Sequence, residues 1–543
     1  MTDTAKEKAP AVEGTNVKET IESILVAFIL AFIFRAFVVE AFVIPTGSMA
    51  PTLLGAHMHF ICPDCGYQFD VNYSSPDESD PDDPRIDTDG WPRGDVYCPN
   101  CGFHIVGRKQ ENEPLLPVLY GDRILVMKYI YLLHSPRRWD VVVFKSPDMP
   151  AETHYTQNFI KRLVGLPGES LMVLDGNIYV HTADDPTWHI QTKPPDVQDV
   201  LWRIIYDNDF HPHLQRNEEP TWVQPWKQTA GTGWNTSADD GGRIFAFDNS
   251  TGTGEIDFDP NANSTTQTTT DYLVYDNGSQ RRALGRIGSP DDERANPVSD
   301  LKVAALYQRK SGDGPFRMEL VRHESIDHTF VAELTPDSVR LIHRSQLASS
   351  AISDSQIGPT LKLSDLGIKA GDPIFVELMS ADYQVTLRLN RKIVLQSTPN
   401  DFAPNVQWLL KQWDTRQSGK PGEAAIEADN QSCTLDHIGL WKSIYYTNRD
   451  ESGQPFNEAS PSKPVVLGPT EYFTMGDNSA VSKDARIWPE PINLPAEELN
   501  VQAGRVPAQF LLGEAIFVYW PAGYRAFGSV SVIPDFGDMR WIH

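Results

Sequence analysis

Residues 21–44, IESILVAFILAFIFRAFVVEAFVI, constrain this chain more than any other part of it. An uninterrupted apolar core runs over 24–34, and the apolar residues around Arg35 extend it towards the ~20 that a membrane-spanning helix needs. Arg35, near one end, is placed to reach the interface with its guanidinium. The stretch is long, closes on Arg35 and Glu40, and lacks an A-x-A site, so it reads as an uncleaved anchor rather than a cleaved secretion signal. Lys6, Lys8 and Lys18 precede it, and after Arg35 the next basic residue is Arg85. That bias places residues 1–20, a polar tail, in the cytoplasm and everything beyond residue 44 on the opposite side. No second segment is long enough to cross, and a mean hydropathy of −0.37 argues against a many-helix membrane protein.

The rest of the 543 residues must fold in water. Hydrophobic residues make up 40% of the chain, enough for packed cores. A formal net charge of −26 argues against nucleic acid as a partner, because phosphate binding needs a basic face. Short β-type runs at 123–127, 141–144, 159–164, 171–173 and 515–519, separated by Gly, Pro and Asp, predict a mainly β fold. The middle third reads the same way: Val385, Leu387 and Leu389 alternate, and 393–395 follow a polar turn as in a hairpin. Residues 248–271, DNSTGTGEIDFDPNANSTTQTTTD, are low in complexity and read as a flexible loop. The densest acidic stretch, 70–95, reads as a solvated loop.

Three boxes carry the chemistry. Directly after the apolar segment, FVIPTGSMAPTLLG (42–55) sets Ser48 between Gly47 and Met49, with Pro45 and Pro51 punctuating the turn. A serine hydroxyl needs a base to become a nucleophile near neutral pH. The second box, NFIKRLVGLPGES (158–170), places Lys161 among Phe159, Ile160, Leu163 and Val164. Lysine serves as that base only where burial lowers its pKa from ~10.4 towards neutrality. Lys128 and Lys145 also follow β-type runs, so spacing alone does not select the base. The third box, EYFTMGDNSAVSKDARIWP (471–489), holds a tight turn at Gly476-Asp477-Asn478, then Ser482, Asp484 and Arg486 at two-residue spacing.

Taken together, these boxes resemble the bacterial type I signal peptidases, the membrane-bound Ser/Lys serine endopeptidases of the S26 family. P-T-G-S-M-x-P-T-L is similar to that family's serine box, RWDVVVFKSP (138–147) to its following strand, IKRLVGLPGE to its lysine box, and MGDN-x-x-x-S-x-D-x-R to its last box, in family order behind an anchor. The resemblance implies a hydrolase that cleaves signal peptides from exported preproteins at the outer face of the cytoplasmic membrane, with no catalytic cofactor. It implies Ser48 as nucleophile and Lys161 as general base and later acid, a dyad that needs no histidine. It implies an oxyanion hole from the Ser48 N–H and the Thr46 hydroxyl. Ser482 matches the serine that holds the lysine, Asp484 and Arg486 a supporting ion pair, Arg162 a structural arginine, and Asp477 and Asn478 residues that shape the site. One position departs: the family's serine between the last-box Asp and Arg is Ala485 here, which predicts a modest loss of supporting hydrogen bonds. The substrate would lie extended between the strand leading to Ser48 and residues 158–160, with small pockets for Ala-like side chains at −1 and −3.

Set against the family pattern, two stretches are inserted. Residues 56–120 hold CPDCG at 62–66 and CPNCG at 98–102. Four thiols in two knuckles suit one tetrahedral, structural Zn²⁺ on Cys62, Cys65, Cys98 and Cys101, as in a zinc ribbon. The alternative is two disulfides, since the insert should lie outside the cytoplasm. His57, His59 and His104 read as bystanders. Residues 182–464 form a second, β-rich insert whose stretches YQVTLRLNRKIVLQS and CTLDHIGLWKSIYYTN are similar to concanavalin-like or laminin-G-like sandwiches; its partner is not given by the sequence. Cys433 reads as a buried apolar residue. The peptidase core is then 45–55, 121–181 and 465–543. Two other functions compete: a relic core whose ribbon and sandwich act as an interaction surface, and a zinc-dependent hydrolase. The intact Ser48, Lys161 and Ser482 argue against the first, and a metal closed by four cysteines against the second.

Overall fold

The computed structural model of the chain describes residues 17–543 apart from 74–88, 93, 108, 110–112, 148–156, 214–221, 240, 264–268, 279–294, 347–351, 418, 451–452, 489–491, 495–498 and 522–533. Most of the acidic stretch 70–95, and residues 1–16 of the tail, lie outside the described residues. The fold is mainly β, as the turn-bounded apolar runs predict.

Val17–Phe37 is a helix of 21 residues, ~30 Å long at 1.5 Å per residue. Its described side chains from 20 to 33 are all exposed, Ile24, Leu25, Phe28 and Phe32 among them. Among the described residues, no helix is long and apolar enough to cross a membrane; the described run 20–33 by itself falls short of the ~20 residues required. One residue later the chain enters the strand Val39–Val43, the edge of an eight-stranded sheet. Its spatial order is Val39–Val43, Arg123–Met127, Leu511–Trp520, Val141–Lys145, Asn158–Gly165, Glu471–Met475 and Val506–Pro507, with Arg540–Trp541 added on Leu511–Trp520. The adjacent strands pair antiparallel, and Ile124, Val126, Val142, Phe144, Leu163, Val164 and Phe473 are buried. A second sheet, His189–Ile190, Asn177–Thr182, Glu169–Leu174 and Val465–Val466, packs its Leu171, Val173 and Ile178 into the same core.

The middle of the chain builds a thirteen-stranded antiparallel sheet whose core also takes in Met172, Leu174 and Tyr179 of the second sheet. Its longest strand, Glu423–Lys442, pairs with Phe245–Phe258 and Arg203–Asp207 on one side and with Phe316–His323 and Leu301–Gly312 on the other. Side chains alternate between core and solvent, as in Phe316, Met318 and Leu320, which marks a sheet with one covered face. Gln384–Leu389 and Lys392–Gln396 form the expected hairpin, turning through Asn390 and Arg391 at φ 50° and 68°. Cys433 is buried in this core, and burial pushes its thiol up to about 12.

The expectation of a flexible loop over 248–271 is wrong for its first half. Phe245–Phe258 is a strand of 14 residues. Composition misleads here because the polar Ser, Thr and Gly residues occupy the exposed middle of the strand, where the register slips between Asn249 and Thr253. Phe245 and Phe247 before that bulge, and Ile256 and Phe258 after it, are buried and anchor both ends.

The middle sheet is tied to the peptidase-like sheets by charge. Asp175, in the turn between Glu169–Leu174 and Asn177–Thr182, meets Arg322 at 2.9 Å, and Arg322 also meets Asp300 at 2.7 Å and Glu324 at 3.1 Å. The guanidinium lies 3.9 Å over the Tyr383 ring. Burial pushes the Asp175 carboxyl up to about 6, so the arginine is what keeps this carboxylate cluster tolerable. Arg322→Met should lower folding stability by about 3 kcal/mol or more by leaving buried carboxylates without their cation. Urea unfolding monitored by tryptophan fluorescence measures this, and a change below about 1 kcal/mol would refute it.

Candidate active site

The strand Asn158–Gly165 pairs with Val141–Lys145 over residues 158–162 and with Glu471–Met475 from Arg162 onward. Among the described residues, no strand pairs with Asn158–Ile160 on that second side, which leaves an open edge there. Successive side chains on a strand point to opposite faces, so the neighbours Lys161 and Arg162 part company. Lys161 is 5% exposed and its Nζ lies 2.7 Å from Ser48 Oγ and 3.1 Å from the Ile160 carbonyl. The ammonium end also stands 5.7 Å over the Phe159 ring, which packs on Phe144 and Trp488. Lys128 pairs instead with Glu40 at 3.1 Å, and Lys145 closes a different strand; of the lysines left open by spacing, it is Lys161 that meets the Ser48 hydroxyl.

Ser48 sits half-buried in a one-turn 3-10 segment, Gly47–Met49. The loop around it is closed by backbone: Ile44 N–H donates to Asp122 O at 2.9 Å and Asp122 N–H to Leu54 O at 2.9 Å. The Asp122 carboxylate accepts from the Leu54 N–H at 3.0 Å and from Arg540 at 2.9 Å. Gly121 permits this closure, since a Cβ there would lie 1.8 Å from Ile44 O. Thr46 is exposed and its side chain does not cap the turn.

Arg162 turns inward and makes a two-pronged pair with Asp477, Nε to Oδ1 and Nη2 to Oδ2, both 2.7 Å. Its remaining donors reach Trp139 O at 2.8 Å and His543 O at 2.9 Å. The Thr52 hydroxyl donates to Asp477 Oδ2 at 2.6 Å. Asn478 donates from its backbone to Ser48 O at 3.1 Å and from Nδ2 to Gly47 O at 3.2 Å and Asp276 Oδ1 at 2.6 Å. Asp484 and Arg486 form the expected buried pair, Nη2 to Oδ2 at 2.8 Å; burial opposes the charge, but the guanidinium wins and holds the Asp484 carboxyl below the usual range. Ala485 is buried in the apolar core, its N–H bonded to Thr474 O at 3.3 Å. Ser482 lies in the same turn, its N–H bonded to Asn478 O at 3.0 Å, while its buried Oγ makes no hydrogen bond of ordinary geometry.

Sequence reasoning did not find the Arg162–Asp477 pairing, Thr52, Asp122, Tyr275 or Asp276. Asp122 carries a signal in retrospect, the Gly-Asp before an apolar strand. Tyr275 and Asp276 carry none, because they come from the second insert.

That insert and the four-cysteine insert also meet. The four Sγ atoms lie within 4.8 Å of one another, with Cys62–Cys101 and Cys65–Cys98 both 3.6 Å apart and no disulfide. A zinc ion with ~2.3 Å Zn–S bonds has tetrahedral edges of about 3.8 Å, so the donors fit such an ion. Each knuckle turns through a glycine at positive φ, Gly66 at 79° and Gly102 at 69°. His57, His59 and His104 are not among the residues grouped there. Asn100 bonds to the backbone of Asp207 and Phe210, and Asp64 accepts from His213 N–H at 2.9 Å.

The family described as "Signal peptidase, peptidase S26" matches residues 17–80, 109–199 and 416–520. Probable signal peptidase I-2 of Synechocystis sp. is 39% identical over 104 residues, covering 18% of this chain and 46% of that protein. Signal peptidase I of Leptolyngbya laminosa is 37% identical over 90 residues, covering 16% and 44%. Signal peptidase I of Rickettsia bellii is 24% identical over 172 residues, covering 31% and 42%. The chain thus spans a little under half the length of each of these relatives.

Gly121→Ala should lower stability by about 3 kcal/mol, because the added methyl meets backbone that has no room to yield. Thermal unfolding reads the loss; an unchanged midpoint would mean that the serine loop is not closed this tightly.

Proposed function

We propose that this chain, which belongs to the signal peptidase family of peptidase S26, is a membrane-anchored serine endopeptidase that removes signal peptides from exported preproteins with a Ser48–Lys161 dyad. The observation that carries this reading is the 2.7 Å contact between Lys161 Nζ and Ser48 Oγ, made by a lysine buried between an aromatic cluster and the serine turn. In its neutral form Lys161 takes the Ser48 proton as Oγ attacks the scissile carbonyl. The oxyanion is met by the Ser48 N–H and the Thr46 hydroxyl. Lys161 then hands the proton to the departing amine, and a water activated by the same amine releases the acyl group. Arg162, Asp477, Asn478, Asp484 and Arg486 hold the dyad, and Ser482 stands in the same turn beside Asp484. The preprotein pairs with the open edge at 158–160, and its bonds there are main-chain bonds.

Residues 21–44 anchor the enzyme in the cytoplasmic membrane by a single pass, with the N-terminus in the cytoplasm and the catalytic sheet on the other side. The exposed apolar surface of the helix Val17–Phe37 supports this. One structural zinc on Cys62, Cys65, Cys98 and Cys101 holds a ribbon in residues 56–120. Residues 182–464 form a β-sandwich insert, and the core is 45–55, 121–181 and 465–543.

Ser48→Ala and Lys161→Ala should each lower cleavage of a preprotein in detergent by about a thousandfold or more while leaving the circular dichroism spectrum unchanged. Appreciable turnover by either variant overturns the dyad. Metal analysis of the purified protein should find one zinc per chain, and Cys98→Ser should lose the ion and lower the unfolding midpoint. A metal-free protein of full stability overturns the ribbon.

A further inference from the structure

The segment Val274–Gly278 belongs to the second insert, yet it ends against the serine turn. Asp276 is almost wholly buried, and its Oδ1 accepts from Asn478 Nδ2 at 2.6 Å. A primary amide nitrogen has two hydrogens. Asn478 directs the other at Gly47 O, 3.2 Å away, beside the backbone N–H that it gives to Ser48 O at 3.1 Å. Asn478 Oδ1 is buried without a partner. The amide therefore gains nothing from its oxygen, and the Asp276 carboxylate decides which way it faces. Turned over, the amide would set oxygen against carboxylate and release Gly47. Tyr275 fixes the same turn sterically: a Cβ on Gly47 would lie 2.7 Å from its hydroxyl and 2.9 Å from Asn72 Oδ1 of the four-cysteine insert.

We propose that Asp276 is a positioning residue for catalysis, acting through Asn478 to hold the Gly47–Ser48 backbone so that the nucleophile and its oxyanion N–H are aligned before substrate arrives. This rests on the reading of Ser48 as nucleophile. It makes the second insert part of the catalytic apparatus, not an appendage. The strands that would pair with substrate are untouched by Asp276, so its loss acts on turnover and not on binding. Burial pushes the carboxyl up to about 7, with the Asn478 bond opposing that rise. The groups around it are Tyr275 beside it, Asp70 and Asp122, which act on Tyr275, and the Arg162–Asp477 pair beyond Asn478. Above that pH the ionised form accepts the stronger, charge-assisted bond, and below it the neutral acid accepts a weaker one.

The test uses the full chain in detergent and a preprotein with alanine at −1 and −3. Asp276→Ala should lower kcat about tenfold with KM within twofold. Asp276→Asn, which keeps an acceptor oxygen, should recover kcat to within about threefold. The double variant Asp276→Ala/Asn478→Ala should be no slower than Asn478→Ala alone, because both residues act through one chain of bonds. Full kcat in Asp276→Ala, a loss confined to KM, or additive effects in the double variant overturn the proposal. Should Asp276→Ala fail to fold, the pH profile of Asp276→Asn decides. Wild-type kcat should fall through two ionisations on the acid side and the Asn variant through one, and identical profiles overturn it. An active Ser48→Ala protein would sink the dyad itself, whereas an inactive Ser48→Ala beside an unaffected Asp276→Ala sinks only the role of Asp276.

Discussion

The buried pair between Arg162 and Asp477 is the interaction on which the rest of the site depends. Both side chains are removed from water, which is expensive for two charges. The geometry recovers that expense by satisfying nearly everything: two parallel N–H···O bonds, two backbone carbonyls for the remaining guanidinium donors, and the Thr52 hydroxyl on the carboxylate. Three of these side chains come from places far apart in sequence that adjoin the site. Arg162 follows Lys161, Thr52 follows Ser48 by four residues, and Asp477 precedes Asn478, which bonds to the Ser48 backbone. One ion pair thus fixes the relative positions of Lys161, Ser48 and the turn behind them. A lysine in this place would offer a single point charge and could not span both oxygens while reaching Trp139.

Strand alternation makes the arrangement possible. Two adjacent cations on one strand point to opposite faces, so Arg162 neutralises a carboxylate in the interior while Lys161 faces the serine hydroxyl. The chain therefore places its fixed charge in the interior and its titratable one against the Ser48 hydroxyl. A guanidinium cannot give up its proton near neutral pH, whereas an amine can when it is desolvated.

How much of this is legible in the sequence follows from the range of each interaction. Local pattern announces the strands around 123–127, 141–144 and 159–164, the hairpin near 385–395 and the paired knuckles, because turn chemistry and apolar runs are short-range properties. The catalytic pair is legible only through the likeness of boxes more than 100 residues apart, since Lys128 and Lys145 have equal local claims. Arg162 and Asp477 are 315 residues apart and Asp276 and Asn478 are 202 apart, and no periodicity encodes such pairings. Composition failed at 245–258 for the opposite reason. A strand whose middle is exposed and bulged needs apolar residues only at its ends, and it looks like a linker to any compositional reading.

The two inserts owe their place to the same long-range logic. Were they appendages, their contacts with the peptidase-like core would be few and polar. Instead Met172, Leu174 and Tyr179 of the second peptidase-like sheet are buried in the core of the large insert sheet, and Val274 of the second insert is buried in the apolar cluster of the first, with Met58, Phe60, Val71 and Val96. Phe210 and Trp222 pack on the four cysteines. The same arm carries Tyr275 and Asp276 to Gly47 and Asn478. An ordered arm of this kind must be held at both ends. The second insert holds it through Lys442, whose Nζ bonds to Tyr272 O at 2.9 Å, and the first insert receives its apolar face. The four-cysteine unit thus packs against Phe210, Trp222 and Val274 of the second insert, the arm that reaches the serine turn. Its place in the chain, from residue 56, is immediately after the loop that carries Ser48.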